Sequence, residues 1–402
     1  MEPWSTDAAT TATSTRPGAP PGRPEPTRPQ PEPTRPPDPP EPPAEPFRLG
    51  YRPELDGLRG LGLVIVVSHH LSRLMWPEAS DWIFPGGQVG LDVFFALSGF
   101  LITALLLSEF QRSGRIDVLA FVWRRALRLV PALVVMMAGL LAVSFIGEKY
   151  DPGELLSSAA WTATLSTNLA IDRPIIELIH TWSLSVEAHF YLFWCVTVAL
   201  VVTRARRPYH VLAGIALAII VTVAVARAVI YHEGVDAVRM YVNTLYRLDG
   251  PLIGALAGVA VVAGWLDGIP RRWAAWAGTL AMVGLGVAAF RTTPISSGLF
   301  EGLFTAVAAC GAVVVVTAPL SGDSRLRRAI STKPLVALGT ISYSVYLWHM
   351  PVIFWFHRNV REWPVGGKLA VCVAVAFGVG TASHYLVERP FLRRKARVVA
   401  PA

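Results

Sequence analysis

Residues 57–70 read GLRGLGLVIVVSHH, an apolar run long enough to begin a membrane crossing that nonetheless carries Arg59 and His70. A side chain that is ionised or ionisable at membrane depth is costly, so a segment that keeps two of them is expected to use them. Eleven positions at 100° each return to within roughly 20° of the starting direction, so on a helix the two side chains leave one face about 16 Å apart. That face would carry a fixed cation near one membrane surface and an imidazole near the bilayer middle. Such an arrangement fits a reaction path better than a lipid-facing surface.

The composition agrees with a membrane protein. Of 402 residues, 53% are hydrophobic and only 16% charged, with 13 Trp and a mean hydropathy of +0.45; a soluble domain has about a quarter of its residues charged. The fold class expected is an all-α polytopic membrane protein. Cys195, Cys310 and Cys372 each sit in an apolar run without metal-ligand spacing, so they read as packing thiols and no metal is expected. The net charge of +8 and pI near 9.7 call for no nucleic acid, because membrane orientation and anionic lipid account for them.

Working outward from residue 57, a window of about 20 apolar residues gives ten transmembrane helices. They cover 57–75, 88–108, 127–147, 185–203, 209–230, 243–263, 272–290, 299–319, 335–357 and 367–387. Alternate loops carry arginine clusters: Arg112, Arg115, Arg124 and Arg125; Arg204, Arg206 and Arg207; Arg271 and Arg272; then Arg325, Arg327, Arg328 and Lys333. The stretch after the last crossing adds Arg389, Arg393, Arg394, Lys395 and Arg397. The positive-inside rule puts these loops and both termini in the cytoplasm. The opposite loops are mixed or acidic, the longest being 148–184 with Glu148, Asp151, Glu154, Asp172 and Glu177. Arginine-heavy, lysine-poor usage suggests a GC-rich bacterial host, and hence a multi-pass protein of the bacterial cytoplasmic membrane.

Residues 1–46 are a different material, holding half of the chain's 32 prolines and almost no large apolar side chain. They cannot bury enough surface to offset ordering entropy and are expected to form a disordered, partly polyproline-II cytoplasmic tail. Without an apolar core the segment does not read as a signal peptide. The expected organisation is this tail, a membrane domain over 47–395, and a short C-terminal tail over 396–402.

Polar strings interrupt the apolar spans. GGQVGLDVFFALSGFLIT places Asp92 in the second helix, and WRRALRLVP places Arg125 and Arg128 one turn apart at the cytoplasmic entry of the third. HTWSLSVEAHFYLFW puts Glu187 and His189 at the outer start of the fourth helix, YRLDGPLIGALAG puts Arg247 and Asp249 in the sixth, and ISYSVYLWHMPVIFW puts Tyr343, Tyr346 and His349 in the ninth. Taken in order, YRPELDGLRG with His70, GGQVGLDVFFALSGFLIT, RRALRLVPAL, HTWSLSVEAHFYLFW, ISYSVYLWHMP and LVERPFLRR resemble the signatures of the membrane-bound acyltransferase 3 family over about residues 51–395. The resemblance implies transfer of an acyl group, often acetyl from acetyl-CoA, to a hydroxyl of a sugar, an envelope glycan or a secondary metabolite. It lays the family's arginine and histidine on Arg59 and His70, and its RxxR pair on Arg125 and Arg128. The family's usual SVEEQFY here reads SVEAHFY, so nothing transfers to Ala188 or His189. Many members append an extracytoplasmic esterase-like domain, and this chain, which stops soon after the tenth span, is expected to act without one.

Acyl transfer needs a base for the hydroxyl proton, a donor for the oxyanion and cationic groups for the CoA phosphates. His70 suits the first task, because burial favours the neutral imidazole that accepts a proton; its plainer role is an interhelical hydrogen bond, and His69 is the neighbouring candidate. Arg59 could bind CoA or polarise the thioester, or simply pair with Asp56 or Asp92. Arg125 and Arg128 offer a bidentate phosphate site, or ordinary positive-inside charge. Glu187 could orient the acceptor or a catalytic partner from the outer side, or cap its helix after Ser183 or Ser185. His349 and Tyr346 read as packing or hydrogen-bonding within the bundle. The expected function is therefore a membrane O-acyltransferase with acyl-CoA as donor and a hydroxyl-bearing glycan or glycosylated metabolite as acceptor. A transporter or flippase would use the same intramembrane Arg, His, Asp and Glu groups, but the motif strings do not recur between halves as an inverted repeat would. A catalytically dead sensor is the third class, and intact Arg59 and His70 argue against it.

Overall fold

The computed structural model describes residues 47 and 49–398, except 147–149, 171 and 173–174. The expected proline-rich tail and the last residues of the expected C-terminal tail lie outside the described residues. Among the described residues there is no strand. In chain order the helices are α1 Pro53–Met75, α2 Gln88–Ser113, α3 Val118–Ile146, α4 Pro152–Ala163, α5 Trp182–Arg204, α6 Pro208–His232 and α7 Ala237–Val242. They continue as α8 Asp249–Val262, α9 Arg271–Arg291, α10 Phe304–Leu320, α11 Arg325–Ile330, α12 Lys333–Asn359, α13 Val365–Ser383 and α14 Arg389–Val398. The chain is an all-α polytopic membrane protein, and each of the ten expected crossings falls on a helix.

Among the described residues, eight helices are long and apolar enough to cross a membrane. The remaining two expected crossings are α1, which carries Glu54, Asp56, Arg59 and Arg73 along its 23 residues, and α8, which has only 14. Two boundaries differ from the hydropathy reading. Helix α3 begins at Val118 and not near 127, because Asp117 accepts from the Ala120 amide at 2.8 Å and starts the helix there. Helix α8 begins at Asp249 and not at 243, because the Asn243 side chain accepts from the Leu245 amide at 2.9 Å and folds Thr244–Tyr246 into a 3-10 turn. At about 1.5 Å per residue such a helix is shorter than a ~30 Å hydrocarbon core.

The helices that position the site are packed backbone to backbone. A methyl group at Gly339 of α12 would lie 1.8 Å from the Asp56 carbonyl oxygen of α1, and one at Gly99 of α2 would lie 1.8 Å from the Pro251 carbonyl oxygen of α8. Only glycine permits these crossings, which gain van der Waals contact where the hydrophobic effect between helices is absent. Buried ion pairs tie the same elements together. Arg247 bonds Asp92 of α2, and Arg227 of α6 lies 2.9 Å from Asp249. Thr305 of α10 accepts from Arg227 at 2.8 Å and donates to Asp249 at 2.6 Å. Asp92 is thus the partner of Arg247 and not of Arg59, and removing either member would leave a buried charge uncompensated.

The segment between α3 and α5 is folded into the bundle. Asp151 caps α4 through the Gly153 and Glu154 amides, and Leu155, Ser158, Thr167, Asn168, Glu177 and His180 are all buried. Arg358 of α12 holds it from the side, donating to Tyr150 Oη at 2.6 Å and Glu177 Oε1 at 2.7 Å. Burial, then the bond to Glu177, pushes the Tyr150 phenol up to about 12, so it stays a donor to that carboxylate.

Candidate active site

Two neighbouring cavities occupy the middle of the bundle. The first, with an empty volume of about 770 Å³, is lined by Arg59 of α1, Ser98 of α2, Arg125 and Arg128 of α3, Glu187 and Tyr191 of α5, and Tyr343 and Tyr346 of α12. Arg125 and Arg128 lie in the second and third turns of α3, well inside the helix. That depth is poorly explained by orientation alone, which acts on loops and helix ends. The Arg125 guanidinium carbon sits 5.6 Å from the Tyr191 ring centroid and 5.4 Å from that of Phe121. Tyr191 donates to Glu187 Oε2 at 2.7 Å, and the Ser98 hydroxyl lies 2.5 Å from the Tyr191 hydroxyl. Arg59 reaches Asp56 Oδ1 at 3.4 Å, with the two side chains 18% and 22% exposed, a looser contact than the ~2.8 Å of a strong charge-assisted bond. Three guanidinium groups therefore face one carboxylate across this space, a site suited to a polyanion. Arg125 also lines a second hollow with Glu109, Arg112, Arg115, Asp117 and Arg124, so the cationic surface continues to the arginine-rich end of the bundle.

The second cavity, with an empty volume of about 760 Å³, is lined by His69, His70, Gln88, His180, Trp182 and Tyr241, and shares Leu91 and Tyr346 with the first. His70 Nδ1 lies 3.1 Å from His349 Nε2. His349 Nδ1 is bonded to the Tyr346 carbonyl oxygen. A carbonyl can only accept, so Nδ1 of the neutral His349 carries its proton and Nε2 is a lone pair. His70 must then donate from Nδ1, which leaves its Nε2 unprotonated. The arrangement fixes the tautomer that a general base requires. His69 is engaged elsewhere, its Nδ1 lying 2.9 Å from the Phe84 carbonyl oxygen.

The sequence reading placed Arg59 and His70 on one face. The structure places them on the walls of adjacent cavities that meet at Leu91 and Tyr346. Arg125 and Arg128 join Arg59 as read. Glu187, in the second turn of α5, lines the same cavity. Two further groups stand beside His70. His349, read as packing or hydrogen-bonding within the bundle, is the hydrogen-bond partner of His70, and the His180 ring, which that reading did not single out, stacks edge-on to His349 with ring centroids 5.3 Å apart. The strings HTWSLSVE and SVYLWHMP contain both residues, but their meeting depends on tertiary contact. Among the described residues, no group of three His, Cys, Asp or Glu is placed to hold a metal ion.

A family model described as an acyltransferase domain matches residues 52–383. The O-acetyltransferase OatA of Staphylococcus aureus is 27% identical over 374 residues, which cover 87% of this chain and 58% of that protein. The peptidoglycan O-acetyltransferase OatA of Listeria monocytogenes is 29% identical over 324 residues, covering 75% of this chain and 49% of that one. The chain thus spans about half the length of these curated relatives. No solved structure matches. With a match that runs from the start of α1 to the end of α13, the chain belongs to the acyltransferase family defined by that domain.

Proposed function

We propose that this protein is a membrane O-acetyltransferase that takes acetyl from acetyl-CoA and places it on a hydroxyl of a cell-envelope glycan. The observation that carries the reading is the hydrogen-bonded line from the Tyr346 carbonyl through His349 to His70, which ends on a bare imidazole nitrogen next to a cavity with three arginines. Arg59, Arg125 and Arg128 would hold the phosphates of the donor, entering from the hollow that Arg125 shares. The acyl end would reach the level of Leu91 and Tyr346, where the two cavities meet.

In the proposed step the acceptor oxygen attacks the thioester carbonyl while its proton passes to His70 Nε2. The tetrahedral intermediate then breaks its C–S bond, and the proton on His70 neutralises the departing thiolate. A dry site strengthens the electrostatic help an oxyanion receives. The printed names of the relatives, one of them a peptidoglycan O-acetyltransferase, make a peptidoglycan-type sugar the first acceptor to try. The bacterial cytoplasmic membrane, with the arginine-rich end inside, is the matching location. Residues 47–395 are proposed as the catalytic membrane domain.

The test is thiol release from acetyl-CoA by the purified full chain, with and without N-acetylated glycan oligosaccharides. Acceptor-dependent release that disappears in His70→Ala supports the reading. Release that is independent of acceptor, or equal in His70→Ala, overturns it.

A further inference from the structure

The arginine cavity is lined by the hydroxyls of Ser98, Ser183, Tyr191, Ser342, Tyr343 and Tyr346, and each has its hydrogen committed inside the protein. Tyr343 donates to the Leu129 carbonyl at 2.6 Å, Ser342 to the Gly339 carbonyl at 2.8 Å and Tyr346 to the His180 carbonyl at 2.6 Å. Tyr191 donates to Glu187 Oε2 at 2.7 Å, as it must toward a carboxylate that faces three guanidinium groups. A hydroxyl has one hydrogen. The contacts of Ser98 with Tyr191 at 2.5 Å and of Ser183 with Tyr346 at 2.7 Å are therefore made with the serine hydrogens. Among the described side chains that line this cavity, the donors left over belong to Arg59, Arg125 and Arg128.

Ser98 is thereby fixed as an acceptor, and it is half-buried where Ser183 is buried. Phosphates satisfy the guanidinium groups but bring no hydrogen to this oxygen. Its depth selects what can. Ser98 follows Leu91 by seven positions, two turns along one face of α2, so it lies about 10 Å from the level where the two cavities meet, on the arginine side. An extended chain advances about 1.2 Å per bond, so with the thioester carbonyl carbon at Leu91 the second amide nitrogen of a pantetheine arm, eight bonds away, falls about 10 Å down the cavity. The first amide, four bonds away, falls short of Ser98.

We infer that Ser98 accepts a hydrogen bond from the N–H of the donor's second amide, the one farther from the sulfur. The cavity then selects its donor by a neutral amide at a set distance from the thioester as well as by phosphate charge. Ser98 is a specificity-determining residue held in its accepting state by the line through Tyr191 to Glu187. The inference rests on the proposed acyl transfer for the identity of the donor and the level of its acyl end, while the contact it claims can be measured without turnover.

The experiment compares acetyl-CoA with an isostere in which an ester oxygen replaces that one N–H, using the full chain in nanodiscs. Thiol release is read for the two acetyl donors, and equilibrium binding for CoA and the matching ester isostere of CoA. The replaced atom is too far from the thioester to alter its reactivity. In the wild type the isostere should lose about tenfold in both kcat/KM and affinity, because it sets an oxygen against the Ser98 oxygen. In Ser98→Ala that preference should collapse, with acetyl-CoA falling to the level of its isostere. A wild type that treats amide and ester alike overturns the inference, and needs no variant to do so. A Ser98→Ala protein that is weakened equally toward both overturns it as well, since that is a packing defect. Binding that follows the expected pattern without turnover upholds the inference and sinks the proposed acyl transfer. Turnover that ignores the replacement does the reverse, and absence of both binding and turnover overturns both.

Discussion

The arginine cavity and the histidine cavity share two lining residues, Leu91 and Tyr346, yet are built on opposite principles. The first gathers fixed charge. Three guanidinium groups come from two helices, and the Tyr191–Glu187 bond engages part of the carboxylate that faces them. The second fixes hydrogen positions: each of His349 and His180 is committed through one ring nitrogen to a backbone carbonyl, which decides where its lone pair points. Charge acts over many ångströms and tolerates a loosely held ligand, whereas proton transfer needs a heavy-atom approach of about 3 Å and the correct tautomer. The difference suggests that one cavity recognises a ligand by its charge and the other by its shape and donors.

The largest effect should come from the histidine side. His70→Ala is expected to lower acetyl transfer by about 10²–10⁴-fold while acetyl-CoA still binds. His69→Ala, which loses the bond to the Phe84 carbonyl and the edge contact with the His70 ring, should remain active in the same thiol-release assay. A dead His69→Ala beside a working His70→Ala would reverse the roles of the two rings. Replacing both Arg125 and Arg128 by Gln should raise the donor KM by about ten- to a hundredfold with little change for the acceptor, since a desolvated charged contact is worth roughly 1.5–3 kcal/mol. If acceptor KM moves instead, the two cavities have been assigned to the wrong ligands.

Next in size is His349→Phe, which removes the acceptor that holds the proton on His70 Nδ1. Turnover should fall on the order of tenfold at unchanged donor KM, with the pH–rate profile displaced, and His349→Gln, which still accepts, should recover part of the loss. An unchanged pH profile would make His349 a packing residue only. Smallest is deletion of residues 1–46, whose composition cannot build a core. Thermal stability and turnover of the remaining chain should match the full protein, and a loss confined to donor KM would tie the tail to the charged side.

The helices were legible because their apolar length is a local property, and so was the common face of Arg59 and His70, since eleven positions fix the rotation. Boundaries went wrong where one side chain decides them, as with Asp117 at α3 and Asn243 before α8. The partition between Arg59 and His70 was not legible, because Leu91 and Tyr346 come from α2 and α12. Nor was the partner of His70, which stands 279 positions away. Nor was it legible that Glu187 faces Arg59, Arg125 and Arg128, or that Glu177 and His180 of the preceding loop are buried, because both depend on contacts between elements distant in the chain.

A bundle that holds two adjoining cavities is only as good an insulator as the layer between them. Here that layer is Leu91 and the Tyr346 side chain, the latter held by bonds to Ser183 at 2.7 Å and to the His180 carbonyl at 2.6 Å. A cell that stores energy as an ion gradient cannot afford a continuous file of water through such a protein, since one leaking copy would discharge the membrane around it. The tether on Tyr346 therefore bears on bioenergetics as much as on the proposed acyl transfer: a boundary that opened to an acyl group would have to stay shut to protons.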